Sequence, residues 1–283
     1  MVRVERHLPT AYAFCMKSAS LVKAVVVTLI LTLAFSASAV AQQPKRESKP
    51  LFSEDFESGK LDPSVWTQQV SGDNIIQVQQ DKVAHGKYAL LVRCPTPAQR
   101  TLALLFAKDL PDALRHHLFG RAYVYITPAI PARHIIFFTA GTPGFPKSKY
   151  QEVASSNGNF QITFIDQADA NEDWHAAGQV PLGRWFLLEW EFNDQPDQAT
   201  VWVDGEKVLD SPFSYKTPGQ STGLVGGFTD ITLGFRLRGA APEPFDIYYD
   251  DIALDTQRIG PVPPGNSSTS SSTAKGPRPT PSR

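Results

Sequence analysis

The feature that most constrains this chain is how its apolar residues are punctuated. Between Leu51 and Leu254, short β-branched and aromatic runs are separated by Gly, Pro, Asn and Asp, and no long segment keeps the apolar period of a helix. The pattern predicts strands at Leu51–Phe56, Ile75–Gln79, Ala89–Arg93, Thr101–Ala107, Phe119–Ile126, His134–Thr139, Phe160–Ile165, Trp185–Phe192, Thr200–Val203, Lys207–Leu209, Ile231–Arg238 and Asp246–Leu254. Helical turns are expected only at Asp62–Val65 and Pro111–His116. In the run ATVWVDGEKVLD, Asp204-Gly205 sits between two apolar stretches and suits a type I′ turn, which needs positive φ at both central residues. Many short strands without βαβ alternation predict an all-β sandwich or jelly roll.

The ends read differently. Ala24–Phe35 is an apolar run preceded by Lys17 and Lys23 and followed by Ala39-Val40-Ala41. That order is a signal peptide with cleavage after Ala41, and Met16 begins a leader of ordinary proportions. An uncleaved anchor is the alternative, but the run is shorter than the ~20 residues of a comfortable span. Residues 1–41 are therefore expected to be removed, 42–49 to form a short linker and 50–259 to fold. Residues 260–283, rich in Pro, Ser, Thr and Gly and without an aromatic residue, are expected to be a disordered tail. The product is expected outside the cytoplasm, extracellular or periplasmic, off the membrane after cleavage, and monomeric.

Of the 2 cysteines, Cys15 precedes the cleavage point, so Cys94 has no partner for an internal disulfide. The chain carries 27 basic and 28 acidic residues, and removing the leader leaves 23 and 27. That mildly acidic balance, without a basic stripe, excludes nucleic acid as a partner.

Particular residues carry a resemblance. Asp55-Phe56-Glu57-Ser58-Gly59, Val83-Ala84-His85-Gly86, Phe119–Tyr125, His134–Phe137, Ile231–Phe235, Tyr248-Tyr249-Asp250-Asp251-Ile252 and Arg258-Ile259-Gly260 occur in one order across the folded part. In that order they resemble the core domain of the fungal cellulose-induced protein (Cip) family and its bacterial relatives. The resemblance implies a concanavalin-like jelly-roll β-sandwich with a concave groove, related to glucuronan and alginate lyases. It also implies a polysaccharide partner, uronate-containing or from the plant cell wall, and a structural calcium ion. The ligands carried over are Glu57, Asp250 or Asp251, and backbone carbonyls around Gly86 and Tyr88. Calcium takes six to eight hard oxygens, and a clasp from the first strand to the last would close the sheet edges.

A lyase needs a cation or amide to neutralise a uronate, and matched groups to take and return a proton. Period-two alternation puts Arg121, Tyr123 and Tyr125 on one strand face, Arg236 and Arg238 on another, Gln161 with Asn159 and Thr163 on a third, and Tyr150 with Glu152 on a fourth. Converging, these faces would line a uronan-binding groove. The catalytic residues stay open, with Tyr150, His134, Arg238 and Gln161 as candidates. The resemblance departs at Lys149-Tyr150-Gln151-Glu152, where the family has Lys-His-Leu-Arg, and at Arg238, where it has Tyr. Binding, with weak elimination at most, is therefore the first expectation. Trp174 and His175 are expected on a loop, with Trp174 stacking on a sugar ring, while Trp66, Trp185, Trp190 and Trp202 are expected in the core. The rival readings are a hydrolase using Glu189 and Glu191 on one strand face, and a structural or adhesion domain.

Overall fold

The computed structural model describes residues 49–128, 134–141, 149–166, 171–194, 198–212 and 227–263. The expected leader and most of the expected tail lie outside them. In chain order the strands are β1 (Phe52–Glu54), β2 (Trp66–Val70), β3 (Ile75–Gln79), β4 (Ala89–Cys94), β5 (Ala98–Gln99), β6 (Leu102–Lys108), β7 (His117–Ile126), β8 (Ile135–Gly141), β9 (Lys149–Ser156), β10 (Asn159–Asp166), β11 (Asn171–Gln179), β12 (Trp185–Asn193), β13 (Gln198–Val203), β14 (Glu206–Pro212), β15 (Asp230–Leu237), β16 (Ala240–Ala241) and β17 (Phe245–Asp255). A 3-10 turn at Asp112–Leu114 is the only helical element among the described residues.

Two antiparallel sheets face each other. One runs β14-β13-β12-β7-β17-β4-β3, with β1 beside β17, and the other runs β11-β10-β9-β8-β15-β6-β2. Alternation along each strand decides what lies between them. Leu118, Ala122, Val124 and Ile126 of β7 and Phe186, Leu188, Trp190 and Phe192 of β12 point inward from the eight-stranded sheet. They meet Phe138, Val153, Phe160, Ile162, Phe164, Leu233 and Phe235 from the seven-stranded sheet. Phe138 stacks on Trp190 with ring centroids 4.2 Å apart, and the Tyr249 hydroxyl donates across the core to the Gly234 carbonyl at 2.6 Å. That bond satisfies a fully buried polar tip, and burial holds the Tyr249 hydroxyl far above its ordinary pKa.

Gly120 is fixed by the same packing. It pairs with Trp190 across β7 and β12, and a Cβ there would come within 2.1 Å of the indole ring. The hairpin between β13 and β14 turns as expected, with Asp204 and Gly205 at φ 51 and 89. β17 is the longest strand, and its second edge is shared: β4 pairs with Phe245–Tyr249 and β1 takes over at Ile252–Leu254. Between them Asp250-Asp251 sits at a bulge, with Asp251 at φ 47. The acid pair thus stands at a seam where three strands meet.

Five strands depart from the sequence expectation. β2, β9 and the two-residue β5 and β16 were not among the predicted strands, and the segment carrying Trp174 and His175 is β11, an edge strand rather than a loop. β11 has little apolar periodicity because it pairs only with β10, so tertiary pairing sets its conformation. Trp66 and Trp190 are core as expected, whereas Trp185 and Trp202 lie half-buried on the outer face of the eight-stranded sheet.

Candidate functional site

The seven-stranded sheet turns a polar row outward. Following the register across six neighbouring pairings gives Trp174 (β11), Thr163 (β10), Glu152 (β9), Thr139 (β8), Thr232 (β15), Phe106 (β6) and Thr67 (β2). The neighbouring row carries Gln161, Ala154, Ile136 and Arg236. A strand with alternate residues in the core must turn the others to this side, which is why Phe160, Ile162 and Phe164 of β10 direct Gln161 and Thr163 toward this face, where both are buried.

At the centre stand Tyr150 and Glu152 of β9, both buried. The Arg238 guanidinium donates from Nη2 to the Tyr150 hydroxyl at 2.8 Å. Burial and the Glu152 carboxylate push the Tyr150 hydroxyl up from its ordinary range, while Arg238 and Arg236 pull the other way. The His134 Nε2 lies 3.0 Å from Glu152 Oε1. Among the described residues neither of these atoms, nor Glu152 Oε2, has a hydrogen bond of acceptable geometry, so the contact is one of proximity. Gln161 donates to the Thr163 hydroxyl at 2.8 Å. Trp174 remains 57% exposed at the edge. His175 lies on the opposite face of the same strand, with Asp173 3.4 Å away.

This face therefore gathers Tyr150, Glu152, His134, Gln161, Arg236, Arg238 and Trp174. It does not gather Arg121, Tyr123 and Tyr125, which β7 carries on the outer face of the other sheet. The expected single groove is corrected in that respect. A chain segment beyond β17 occupies their side. The Gly260 carbonyl accepts from Arg121 Nη1 at 3.3 Å, the Gly260 amide donates to Glu189 at 2.9 Å, and the Val262 amide donates to the Tyr123 hydroxyl at 3.4 Å. Arg258 grips Glu189 with two bonds of 3.2 and 2.7 Å and lies 4.5 Å over the Trp202 ring. Glu191 is held by His117 at 2.7 Å. Glu189 thus anchors a strap and Glu191 is tied to His117 and Thr200 within the sheet, so the two do not stand as an open carboxylate pair for hydrolysis. Residues 260–263, expected to begin the tail, belong to this strap.

The seam at Asp250-Asp251 forms a second cluster. Asp250, 1% exposed, accepts from the amides of Ala84, His85 and Asp251 at 2.9, 3.1 and 2.8 Å. Its carboxyl is pushed up to about 7, by burial first and then by the Asp251 charge. Glu57 accepts from the amides of Lys87 and Tyr88 at 2.8 and 2.9 Å, and His85 Nδ1 meets Asp251 Oδ2 at 2.5 Å. A Cβ at Gly86 would come within 2.2 Å of Glu57 Oε1, so only glycine lets the carboxylate approach. The loop meets Glu57 with the Lys87 and Tyr88 amides, which leaves the role of the Gly86 and Tyr88 carbonyls an expectation. Among the described residues no three His, Cys, Asp or Glu side chains form a metal cage by themselves. Glu57, Asp250 and Asp251, one of them buried, are nonetheless hard-oxygen donors of the kind a calcium ion takes, beside a loop that can lend further oxygens.

Layer order, sheet pairing and core together define an antiparallel jelly-roll β-sandwich of the concanavalin-like kind. Among solved structures, the fold is that of the cellulose-induced protein Cip1 (14% identity, TM-score 0.56), the likeness covering 75% of this chain and 100% of that one. It is also that of an endo-β-1,4-glucuronan lyase from the fungus Trichoderma reesei (15% identity, TM-score 0.53), covering 74% of this chain and 96% of the other. No family model and no curated protein matches the sequence. At these identities the likeness is one of fold.

The sequence reading missed Thr139 and Thr232, which complete the polar row. Each sits in an apolar strand at the alternation expected for the outer face, and that was the available signal.

Proposed function

We propose that the protein is exported and binds a uronate-containing polysaccharide across the outer face of the seven-stranded sheet. The observation that carries the reading is the Arg238–Tyr150 bond at 2.8 Å, on the face that also holds Arg236, Glu152 and the exposed Trp174. Arg238 and Arg236 offer guanidinium groups to a uronate carboxylate. The polar row gives hydroxyls and an amide for the sugar, and Trp174 gives a ring face for its CH-rich side. Two solved structures of this fold carry names that concern cellulose induction and glucuronan cleavage, which agrees with this partner class. Export rests on the sequence of residues 1–41, and calcium at the Glu57–Asp250–Asp251 seam is proposed as a structural ion. No helix among the described residues is long and apolar enough to cross a membrane.

Elimination is a second reading, favoured by the Tyr150 hydroxyl that Arg238 orients. A phenol held by a guanidinium can exchange a proton with a sugar carbon or leaving oxygen. Against it, the buried Glu152 offsets part of the positive charge that a uronate and its enolate would need.

Affinity electrophoresis in gels containing polyglucuronate, alginate, xylan or no polysaccharide tests the binding. Retardation that Arg238→Ala and Trp174→Ala abolish supports the face; equal mobility in every gel overturns it. A rise in ultraviolet absorbance from unsaturated uronate ends, lost in Tyr150→Phe, would add elimination.

A further inference from the structure

Two hydroxyls in the polar row have no place in the account so far. Thr139 of β8 and Thr232 of β15 are register partners, exposed by only 8% and 2%. Among the described residues neither Oγ1 has a hydrogen-bond partner. Native folds pair nearly all buried hydroxyls, and a Thr can turn its hydroxyl toward any neighbour within reach. Two facing hydroxyls without a partner mark a place for a group from outside the chain.

Both line a pocket walled by Leu104, Ile136 and Phe137, with Tyr150 and Arg236 as its other polar members. Arg236 alone among these is not buried, so it stands at the mouth. The room inside suits one water-sized group. The apolar walls and the room for a single water-sized group keep a carboxylate out of the interior, so a uronate carboxylate is left to Arg236 at the mouth and to Arg238. A neutral hydroxyl fits, because it can accept from one threonine and donate to the other.

We propose that this pocket is a hydroxyl-recognition subsite, filled by one water in the free protein and by a sugar hydroxyl when a glycan lies on the face. The second half rests on the polysaccharide reading above, and the first does not. The subsite gives the face a selectivity that the arginines cannot. They read charge, whereas the threonine pair reads a free hydroxyl at one ring position and rejects a chain methylated or acylated there. A site built to bond a hydroxyl discriminates strongly against an analogue lacking it, because its own buried groups are then left unpaired.

The test joins crystallography of the full chain with titration by polyglucuronate oligosaccharides. A high-resolution map is expected to show one water within hydrogen-bond reach of both Oγ1 atoms. Thr139→Val and Thr232→Val, which keep shape and lose the hydroxyl, are each expected to remove it and to weaken glycan binding about tenfold. Thr232→Ser, which keeps the hydroxyl, is expected to bind like the wild type, and it guards against a Val variant that fails to fold. A pocket without density, or Val variants that fold and bind as the wild type does, overturns the subsite. Density in the pocket of a wild type that binds no glycan overturns the polysaccharide reading and the glycan half of the proposal, while establishing the water site.

Discussion

Replacing Arg258 by Ala tests the strap directly. Its guanidinium holds Glu189 at 3.2 and 2.7 Å, and Glu189 is 1% exposed. Removing one partner of a buried pair costs about 3–5 kcal/mol, because the other charge stays buried. Here the cost is smaller on two counts. The Arg258 side chain is 24% exposed, and the Glu189 carboxylate keeps the Gly260 amide at 2.9 Å and the nearby Arg121 charge. Loss of the contact with the Trp202 ring adds roughly 0.5–1 kcal/mol. The expected destabilisation is about 2–3 kcal/mol. Urea unfolding followed by tryptophan fluorescence reads it as a lower midpoint with unchanged slope. Glu189→Gln is expected to cost less, because the freed Arg258 can turn to solvent, and Glu189→Gln in the Arg258→Ala background is expected to recover part of the loss. The reasoning is refuted if Arg258→Ala lies within about 0.5 kcal/mol of the wild type, or if Glu189→Gln is the more damaging of the two.

The Asp250 carboxyl, raised to about 7 in the folded state, ties stability to pH. An acid whose folded pKa is raised stabilises the fold fully below the ordinary carboxylate range near ~4, and that contribution is lost as pH rises to about 7. In chelator, melting temperature should therefore fall over that window. Asp250→Asn should flatten the fall, and calcium should restore the wild type above it; a flat profile in chelator contradicts the assignment. Gly120→Ala puts a Cβ 2.1 Å from the Trp190 ring, so thermal melts should show a loss of about 2–3 kcal/mol or more, partly recovered by a smaller residue at 190. Trp174→Ala removes an exposed side chain, so the melt should stay within about 0.5 kcal/mol while glycan retention in the gel falls several-fold. A matched drop in both would make Trp174 structural.

Much of this molecule is legible in its residue order because strand alternation is a local property. Phe160, Ile162 and Phe164 announce a core face and so place Gln161 and Thr163 on the other, and Asp204-Gly205 announces its turn. Tyr150 and Glu152 share a face for the same reason, even though β9 itself was not predicted as a strand. β11 escaped for a different cause: its strand conformation comes from pairing with β10, and its own sequence carries little of the pattern.

Period two tells which residues share a face of one strand and is silent on which sheet that strand joins. Arg121, Tyr123 and Tyr125 look the same in sequence as Arg236 and Arg238: polar residues alternating with apolar ones. Pairing between residues far apart in the chain puts β7 beside β12 and β17, and β15 beside β8 and β6, so the two sets face opposite sides of the sandwich. The same pairing brings Arg258 and Gly260 onto Glu189, and sets Thr139 against Thr232. Sequence determined most of the strands, the faces of their residues and the residue types available for a site. Tertiary structure alone decided which of those faces meet, because register and sheet order are set by long-range packing that no local pattern encodes.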